Sequence, residues 1–225
     1  MRPETAAPGG GLLARYGLPP AEIERRSLER IERLAGPHLP TDPGLRYVAQ
    51  RVLYAAGDPD LAQSVRLHPD LVTAGVMALR SGRPIVVDVS MVTAGLRGDA
   101  LRRFGCPVFV AVSQPNVAVA AGAAGITRSA MGIRLLQDCL AGTLVVIGNA
   151  PTALLELLDL IDAGCAAPSA IVGMPVGLVA AAESKDELVR RTTPYATVVG
   201  TRGGSPLAAA AVNALLQLAT EDVDG

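Results

Sequence analysis

The clearest fold signal in the chain lies between Thr143 and Gly164, which reads TLVVIGNAPTALLELLDLIDAG. Its first part, Leu144 to Ile147, is an uninterrupted apolar run of the kind found in strands that are buried on both faces. Gly148 then permits a tight turn, and Pro151 fixes φ near the value of a first helical turn. Apolar residues at helical spacing follow, and Gly164 is a stop signal: Leu154, Leu155, Leu157, Leu158 and Ile161. The stretch therefore predicts half of a βαβ unit.

The turn between this strand and helix carries two polar side chains, Asn149 and Thr152. In open α/β sheets, ligands bind in the crevice at the carboxyl ends of the strands, which would put both residues at the rim of a site. The alternative is that Asn149 only caps the helix. The residues themselves do not decide between the two.

The rest of the chain alternates between the same two patterns. Strands are predicted at PIVVDV, PVFVAV, TLVVIG, SAIVGMPV and PYATVVGT. Helices are predicted over residues 20–34, 45–58, 70–82, 129–142 and 205–220. This alternation indicates an α/β fold, a single domain with a mostly parallel, doubly wound sheet and helices on both faces. We expect the domain to span residues 16–220, after a flexible N-terminal segment, residues 1–15, that is rich in glycine and proline.

Asp88 stands out because it lies near the carboxyl end of the apolar strand PIVVDV. A carboxylate buried there without a partner would be costly. It should therefore either reach a site crevice or cap the next turn, and both alternatives stay open.

Composition excludes several classes of protein. Half of the residues are hydrophobic, yet no run approaches the roughly 20 apolar residues of a membrane-spanning helix, and no secretory signal pattern is present. The formal net charge of −1, without a basic stripe, argues against nucleic-acid binding. Three cysteines without a CxxC pair predict buried thiols rather than disulfides, and with only two histidines no metal site is expected. These features predict a cytoplasmic protein that binds neither membrane nor nucleic acid.

Glycines recur after successive predicted strands, at Gly148, at Gly173 with Gly177, and at Gly203-Gly204. None of them forms GxGxxG or GxxxxGK[ST], so a nucleotide site is only weakly supported. The glycines favour close backbone approach to a ligand, although turns alone would also account for them. Composition and spacing predict a fold and a site face without naming a reaction.

A series of motifs is more specific. They occur in this order: YGLPPAEIERRSLERI, RPIVVDVSMVTAGL, GITRSAMGIRLL, VVIGNAPTALLELLDLI, AIVGMPVGLVAAAESKDEL and GTRGGSPLAAAAVNAL. In this order they resemble the precorrin-8X methylmutase family, also called cobalt-precorrin-8 methylmutase. The resemblance covers about residues 16–216, nearly the whole chain.

The resemblance implies an isomerase of cobalamin biosynthesis that moves a methyl group from C11 to C12 of the corrinoid ring without a metal or nucleotide cofactor. Its ligand would be precorrin-8X or cobalt-precorrin-8, bound at the interface of a homodimer. The substrate carries many carboxylates, for which guanidinium groups are well suited. Arg51, Arg128 and Arg202 are the candidates to bind them.

The family resemblance also implies particular site residues. A family histidine donates a proton to the ring, and the segment VLYAAG places Tyr54 at its position. Tyr54 is therefore the predicted catalytic residue. Residues carried over as lining the site are Ser27, Arg51, Thr127, Arg128 and Ser129, and Asn149 is added from the fold argument.

Two positions depart from the family pattern. A phenol is a far weaker acid than imidazole, with an ordinary pKa of about 10, but it remains a hydrogen-bond donor. In addition, Ile126 replaces the asparagine of the usual Gly-Asn-Thr-Arg run. The alternatives are a methylmutase in which Tyr54 donates a hydrogen bond, and a tetrapyrrole-binding paralogue whose isomerase chemistry is impaired.

The sequence also predicts where subunits would meet. The helix around Leu207 to Leu218 is rich in alanine and leucine and has no long charged face. A monomer rarely exposes such a surface, so it is the predicted dimer contact.

Overall fold

The computed structural model describes residues 11–221, which fold around a six-stranded sheet. The strands are β1 (Val65–Leu67), β2 (Ile85–Val87), β3 (Val108–Val110), β4 (Leu144–Ile147), β5 (Ala170–Gly173) and β6 (Tyr195–Val198). Their spatial order is β1-β6-β5-β4-β2-β3. All neighbours are parallel except β1 and β6, which pair antiparallel. The predicted mostly parallel sheet is therefore confirmed.

Helices cover both faces of this sheet. They are α1 (Leu12–Tyr16), α2 (Pro20–Ala35), α3 (Pro43–Ala56), α4 (Leu71–Arg80), α5 (Ser90–Gly95), α6 (Gly98–Phe104), α7 (Val117–Ala124), α8 (Arg128–Leu135), α9 (Pro151–Asp162), α10 (Ala181–Val189) and α11 (Ser205–Glu221). Buried side chains of α2 to α6 and α11 form one core with the first face, and those of α8 to α10 form a second core with the other. The doubly wound arrangement is confirmed.

The stretch from Thr143 to Gly164 folds as predicted. All four residues of β4 are buried, and Pro151 lies in the first turn of α9. Gly148 is required by close packing, because a Cβ atom there would lie 2.6 Å from the Val92 side chain and 2.9 Å from the Ser205 backbone. Gly164 follows the helix with a φ of +72°, where glycine has no steric penalty.

Three predictions of elements and burial need correction. The helix predicted over residues 129–142 ends at Leu135 and gives way to a 3-10 turn, Gln137–Cys139. Cys139 and Cys165 are exposed, and only Cys106 is a buried thiol. The predicted dimer surface, Leu207 to Leu218, lies in α11 and is mostly buried against the chain's own helices α3, α4 and α5. That helix is apolar because it fills the core of one subunit.

The predicted flexible segment, residues 1–15, lies mostly outside the described residues, and α1 begins at Leu12. Among residues 11–221 no helix is both long and apolar enough to span a membrane.

Candidate functional site

Asn149, Thr152 and Arg202 follow the parallel strands β4 and β6, so they lie at the edge of the sheet where these strands end. We call this edge the carboxyl edge. Thr127 also lies at this edge, since its hydroxyl is hydrogen-bonded at 2.7 Å to that of Thr152, in the first turn of the helix after β4. Tyr54 lies near the end of α3, and the next turn is tied to the same edge by an ion pair between Asp58 and Arg202, which follows β6. The two sets are nevertheless on opposite faces of the sheet, since α3 belongs to one core and α8 to the other.

Tyr54 lines a groove between α2 and α3, which we call the Tyr54 groove. Its volume is about 530 Å³. It is lined by Ser27, Arg30, Ile31, Leu34, Leu53, Tyr54, Gly57 and Pro59. Helix α3 is fixed at its start by Asp42, whose carboxylate accepts a 2.8 Å hydrogen bond from the Leu45 backbone. Two predicted site residues, Ser27 and Tyr54, thus face one concave surface.

Arg51 lies beside this groove rather than in it. Its guanidinium carbon is 5.1 Å from the centre of the Tyr54 ring, within the range of a cation–π contact. It also donates to the carboxylate of Glu24. Its charge is therefore already compensated, and a substrate carboxylate that binds Arg51 has to compete with Glu24.

The second set of predicted residues surrounds the start of α8. Thr127 caps this helix by accepting a 3.2 Å hydrogen bond from the Ala130 backbone. Arg128 is exposed and forms no ion pair with any residue of the described range 11–221. Ser129 is half-buried, and Ile126 packs against a small apolar cluster of Val117, Ala121 and Met131. Arg128 is thus a cation available to an acidic ligand.

Asp88 is fully buried, so it does not reach into a crevice, and the turn that it caps is the one after β4 rather than the predicted next turn of the chain. Its carboxylate accepts backbone hydrogen bonds of 2.9, 2.8 and 2.8 Å from Gly148, Asn149 and Ala150. Gly148, the first of these donors, lies 60 residues after Asp88 in the chain. Burial raises the pKa of Asp88, although these three donors favour the ionised form.

Asn149 does not cap the following helix. The N-cap residue of α9 is Ala150, which makes no side-chain cap bond, and the Asn149 side chain is exposed at the carboxyl edge. The capping alternative is therefore wrong, and the ligand-binding role of Asn149 stays a prediction.

Sequence reasoning missed a buried lysine at the same edge. Lys185 in α10 is fully buried, and its ammonium donates to the backbone carbonyls of Pro175 at 3.1 Å and Arg202 at 2.7 Å. Burial lowers its pKa to about 8. Helical spacing was the available signal, because Lys185 lies four residues after Ala181 and three before Leu188, both of which are buried.

The chemistry on offer at this edge is hydrogen bonding and carboxylate binding. A phenol, hydroxyls and guanidinium groups can orient an acidic molecule by donating hydrogen bonds to it. Within the described residues, no group of three or more histidine, cysteine or acidic side chains is arranged to hold a metal ion.

A doubly wound α/β fold with a groove lined by hydrogen-bond donors, and with the guanidinium of Arg128, unpaired among residues 11–221, near its carboxyl edge, is typical of proteins that bind an acidic small molecule. Residues 22–218 match the model of the family described as Precorrin-8X methylmutase. The chain belongs to this family.

Individual relatives agree with the family match. The chain is 41% identical to a cobalt-precorrin-8 methylmutase of Priestia megaterium over 204 residues, covering 91% of this chain and 90% of the relative. It is 44% identical to a precorrin-8X methylmutase of Pseudomonas aeruginosa over 198 residues, covering 86% and 93%. A solved precorrin-8X methylmutase from Thermus thermophilus superposes with a TM-score of 0.82 at 34% identity, covering 90% of this chain and 97% of that one.

Proposed function

We propose that this protein is an isomerase of cobalamin biosynthesis that moves a methyl group from C11 to C12 of precorrin-8X or cobalt-precorrin-8. The product would be hydrogenobyrinic acid or its cobalt form. The observation that carries the proposal is the groove that Ser27 and Tyr54 line, in a chain that matches the methylmutase family over residues 22–218. Relatives named as methylmutases that cover about nine-tenths of the chain support it.

In this proposal Tyr54 donates a hydrogen bond to a ring nitrogen of the bound macrocycle. The bond from C11 to the methyl group breaks as the bond to C12 forms, so the substrate supplies the migrating group. The protein has to hold the ring in one orientation and draw electron density from it. The proposal requires no resident metal or cofactor.

Arg128 binds one of the peripheral carboxylates in this scheme. It is exposed and has no ion-pair partner within the described residues, so binding a carboxylate breaks no existing ion pair. Arg51 and Arg202 are weaker candidates, because each already pairs with an acid, Glu24 and Asp58 respectively. Thr127, Ser129 and Asn149 complete the proposed lining on this side.

We further propose that two copies of the chain form the working enzyme. Within one subunit the Tyr54 groove and the Arg128 set lie on opposite faces of the sheet, and a symmetric partner is the simplest way to join them around one ligand. Apolar exposure supports this: α7 has no polar side chain, Val119 is 75% exposed, and Leu178 is 92% exposed.

A titration tests ligand binding directly. When hydrogenobyrinic acid is mixed with the purified protein, the visible spectrum of the corrinoid should change. The change should saturate at about one ligand per subunit, the stoichiometry that the family resemblance implies. An unchanged spectrum at high protein excess would contradict the proposal.

The second candidate function is a corrinoid-binding protein without isomerase activity. It is favoured by one feature, the phenol of Tyr54 in the groove, because a phenol is a poor general acid. Binding with no conversion of substrate would select it.

A cytoplasmic location is part of the proposal. All three cysteines are free thiols, as is usual for proteins of reducing compartments.

A further inference from the structure

The Tyr54 groove contains one charged side chain among the lining residues of the described chain, that of Arg30. Arg30 lies one helical turn after Ser27 on α2, so both side chains lie on the face turned toward the groove. Sequence reasoning did not single it out. Nothing in the resemblance to the family assigns it a role.

The glutamates of α2 are all occupied by other arginines. Glu22 pairs with Arg25 and Arg26, and Glu29 pairs with Arg25. The other two bind cations on α3: Glu24 with Arg51 and Glu32 with Arg46.

Arg30 is therefore left without a carboxylate partner in the described range 11–221. Its neighbours at three and four residues are Arg26, Ser27, Arg33 and Leu34, so no acid is within reach along the helix either. The groove has an uncompensated positive charge at its rim.

The other side of the groove is apolar. Its lining includes Ile31, Leu34 and Leu53, so the groove combines an apolar wall with the exposed guanidinium of Arg30. A guanidinium in such a place presents two parallel N–H donors to a carboxylate. The groove therefore favours an apolar body that carries an acidic arm.

We propose that Arg30 binds a peripheral carboxylate of the macrocycle and determines specificity for it. The inference rests on the proposed function, which supplies a polycarboxylate ligand. Because Arg30 and Tyr54 line the same groove, this contact fixes how far the ring is rotated relative to the phenol. Arg30 thus selects which part of the macrocycle faces Tyr54.

The test is a titration with hydrogenobyrinic acid, followed by the visible spectrum, of the wild type and three variants. Arg30→Gln should weaken binding by about ten- to a hundredfold, the usual effect of losing a charged hydrogen bond. Arg30→Lys should recover part of this loss because it keeps the charge. The matched control is Arg33→Gln: Arg33 is exposed on the same helix, has no partner within residues 11–221 and does not line the groove, so affinity should stay within about twofold.

The outcomes separate this inference from the proposed function. No spectral change with the wild type would overturn both. Normal wild-type binding with equal affinity in Arg30→Gln would overturn the role of Arg30 alone. An equal loss in Arg30→Gln and Arg33→Gln would also overturn it, since it would indicate general attraction by a basic helix. The unfolding temperatures of the variants, expected to match the wild type, show that each loss belongs to binding.

Discussion

The side chain of Tyr54 can do two things for a bound ring, donate one hydrogen bond or simply fill space. Its ring is held in place by the guanidinium of Arg51 at 5.1 Å. Tyr54→Phe keeps the ring and removes only the donor. If the phenol assists the reaction, this variant should lose most of its turnover while binding corrinoid with nearly unchanged affinity. Equal rates for wild type and Tyr54→Phe would show that the hydroxyl takes no part.

Tyr54→His is the complementary change at the same residue. An imidazolium is a far better proton donor than a phenol, so turnover should rise by about 10²–10⁴-fold if general-acid catalysis limits the wild type. The gain should disappear as the pH climbs past the histidine pKa, because only the protonated ring can give up the proton. A variant that binds corrinoid and converts none would place the limitation elsewhere, with Ile126 the first candidate.

The buried Lys185 leads to a prediction about how stability depends on pH. Burial lowers its pKa to about 8 in the folded chain from 10.5, and the neighbouring Asp186 opposes this only in part. Between these two values the unfolded chain binds more protons, so the wild type should gain stability as the pH rises through the window. Lys185→Met cannot titrate. Its stability relative to wild type should therefore fall by about 1–3 kcal/mol between pH 7 and pH 10, measured by urea unfolding. A pH-independent difference would show that folding does not lower the pKa of Lys185.

At the scale of elements, the predictable parts are those in which local pattern and tertiary role agree. The strand β4 and helix α9 follow from an apolar run, a glycine and a proline, since each local preference matches its final environment. Strand β1, Val65–Leu67, was missed because Arg66 interrupts its apolar pattern and because its antiparallel pairing with β6 joins Val65 to the distant Val198. Helix α11 was assigned to a surface because an alanine-rich pattern does not say whether its partner is another subunit or the same chain.

The sequence pointed to individual candidate site residues, but it did not predict which of them lie together in space. Tyr54 and Ser27 face one groove only because α2 packs against α3, which no local pattern specifies. Arg30 was missed because an arginine in a charged helix is usually solvated, and only the contacts show that every glutamate of α2 is already taken. Asp88 could be recognised as unusual from its apolar strand, but its partner turn at Gly148 could not.

The contact between β2 and the turn after β4 gives a prediction for these elements. Asp88 accepts three backbone hydrogen bonds with its two oxygens. In Asp88→Asn an amide NH₂ must face at least one of these donors, so the variant should lose about 1–3 kcal/mol of unfolding free energy. Asp138→Asn, on the exposed 3-10 turn, is the control and should stay within about 0.5 kcal/mol. Two equally stable variants would mean that the turn does not depend on the carboxylate.

For the whole molecule, the proposed dimer predicts a sedimentation result. The wild type should sediment as a dimer at micromolar concentration. Val119→Asp adds a charge to the apolar helix α7 and should shift the protein toward the monomer. Met77 is also well exposed but lies on α4, so Met77→Asp should leave the protein a dimer. Equal dissociation of both variants would show that α7 is not the specific subunit contact. A monomeric wild type would contradict the dimer itself, and the two halves of the site would then not meet around one ligand.

Movement of a methyl group on the corrinoid ring can be followed by labelling that group. Precorrin-8X carrying a ¹³C-labelled methyl at C11 is incubated with the purified wild type, and the product is examined by NMR. We expect hydrogenobyrinic acid with the label on the C12 methyl and no loss of label to solvent. If the label stays at C11 although the protein binds the corrinoid, the protein is a corrinoid-binding protein and not a methylmutase.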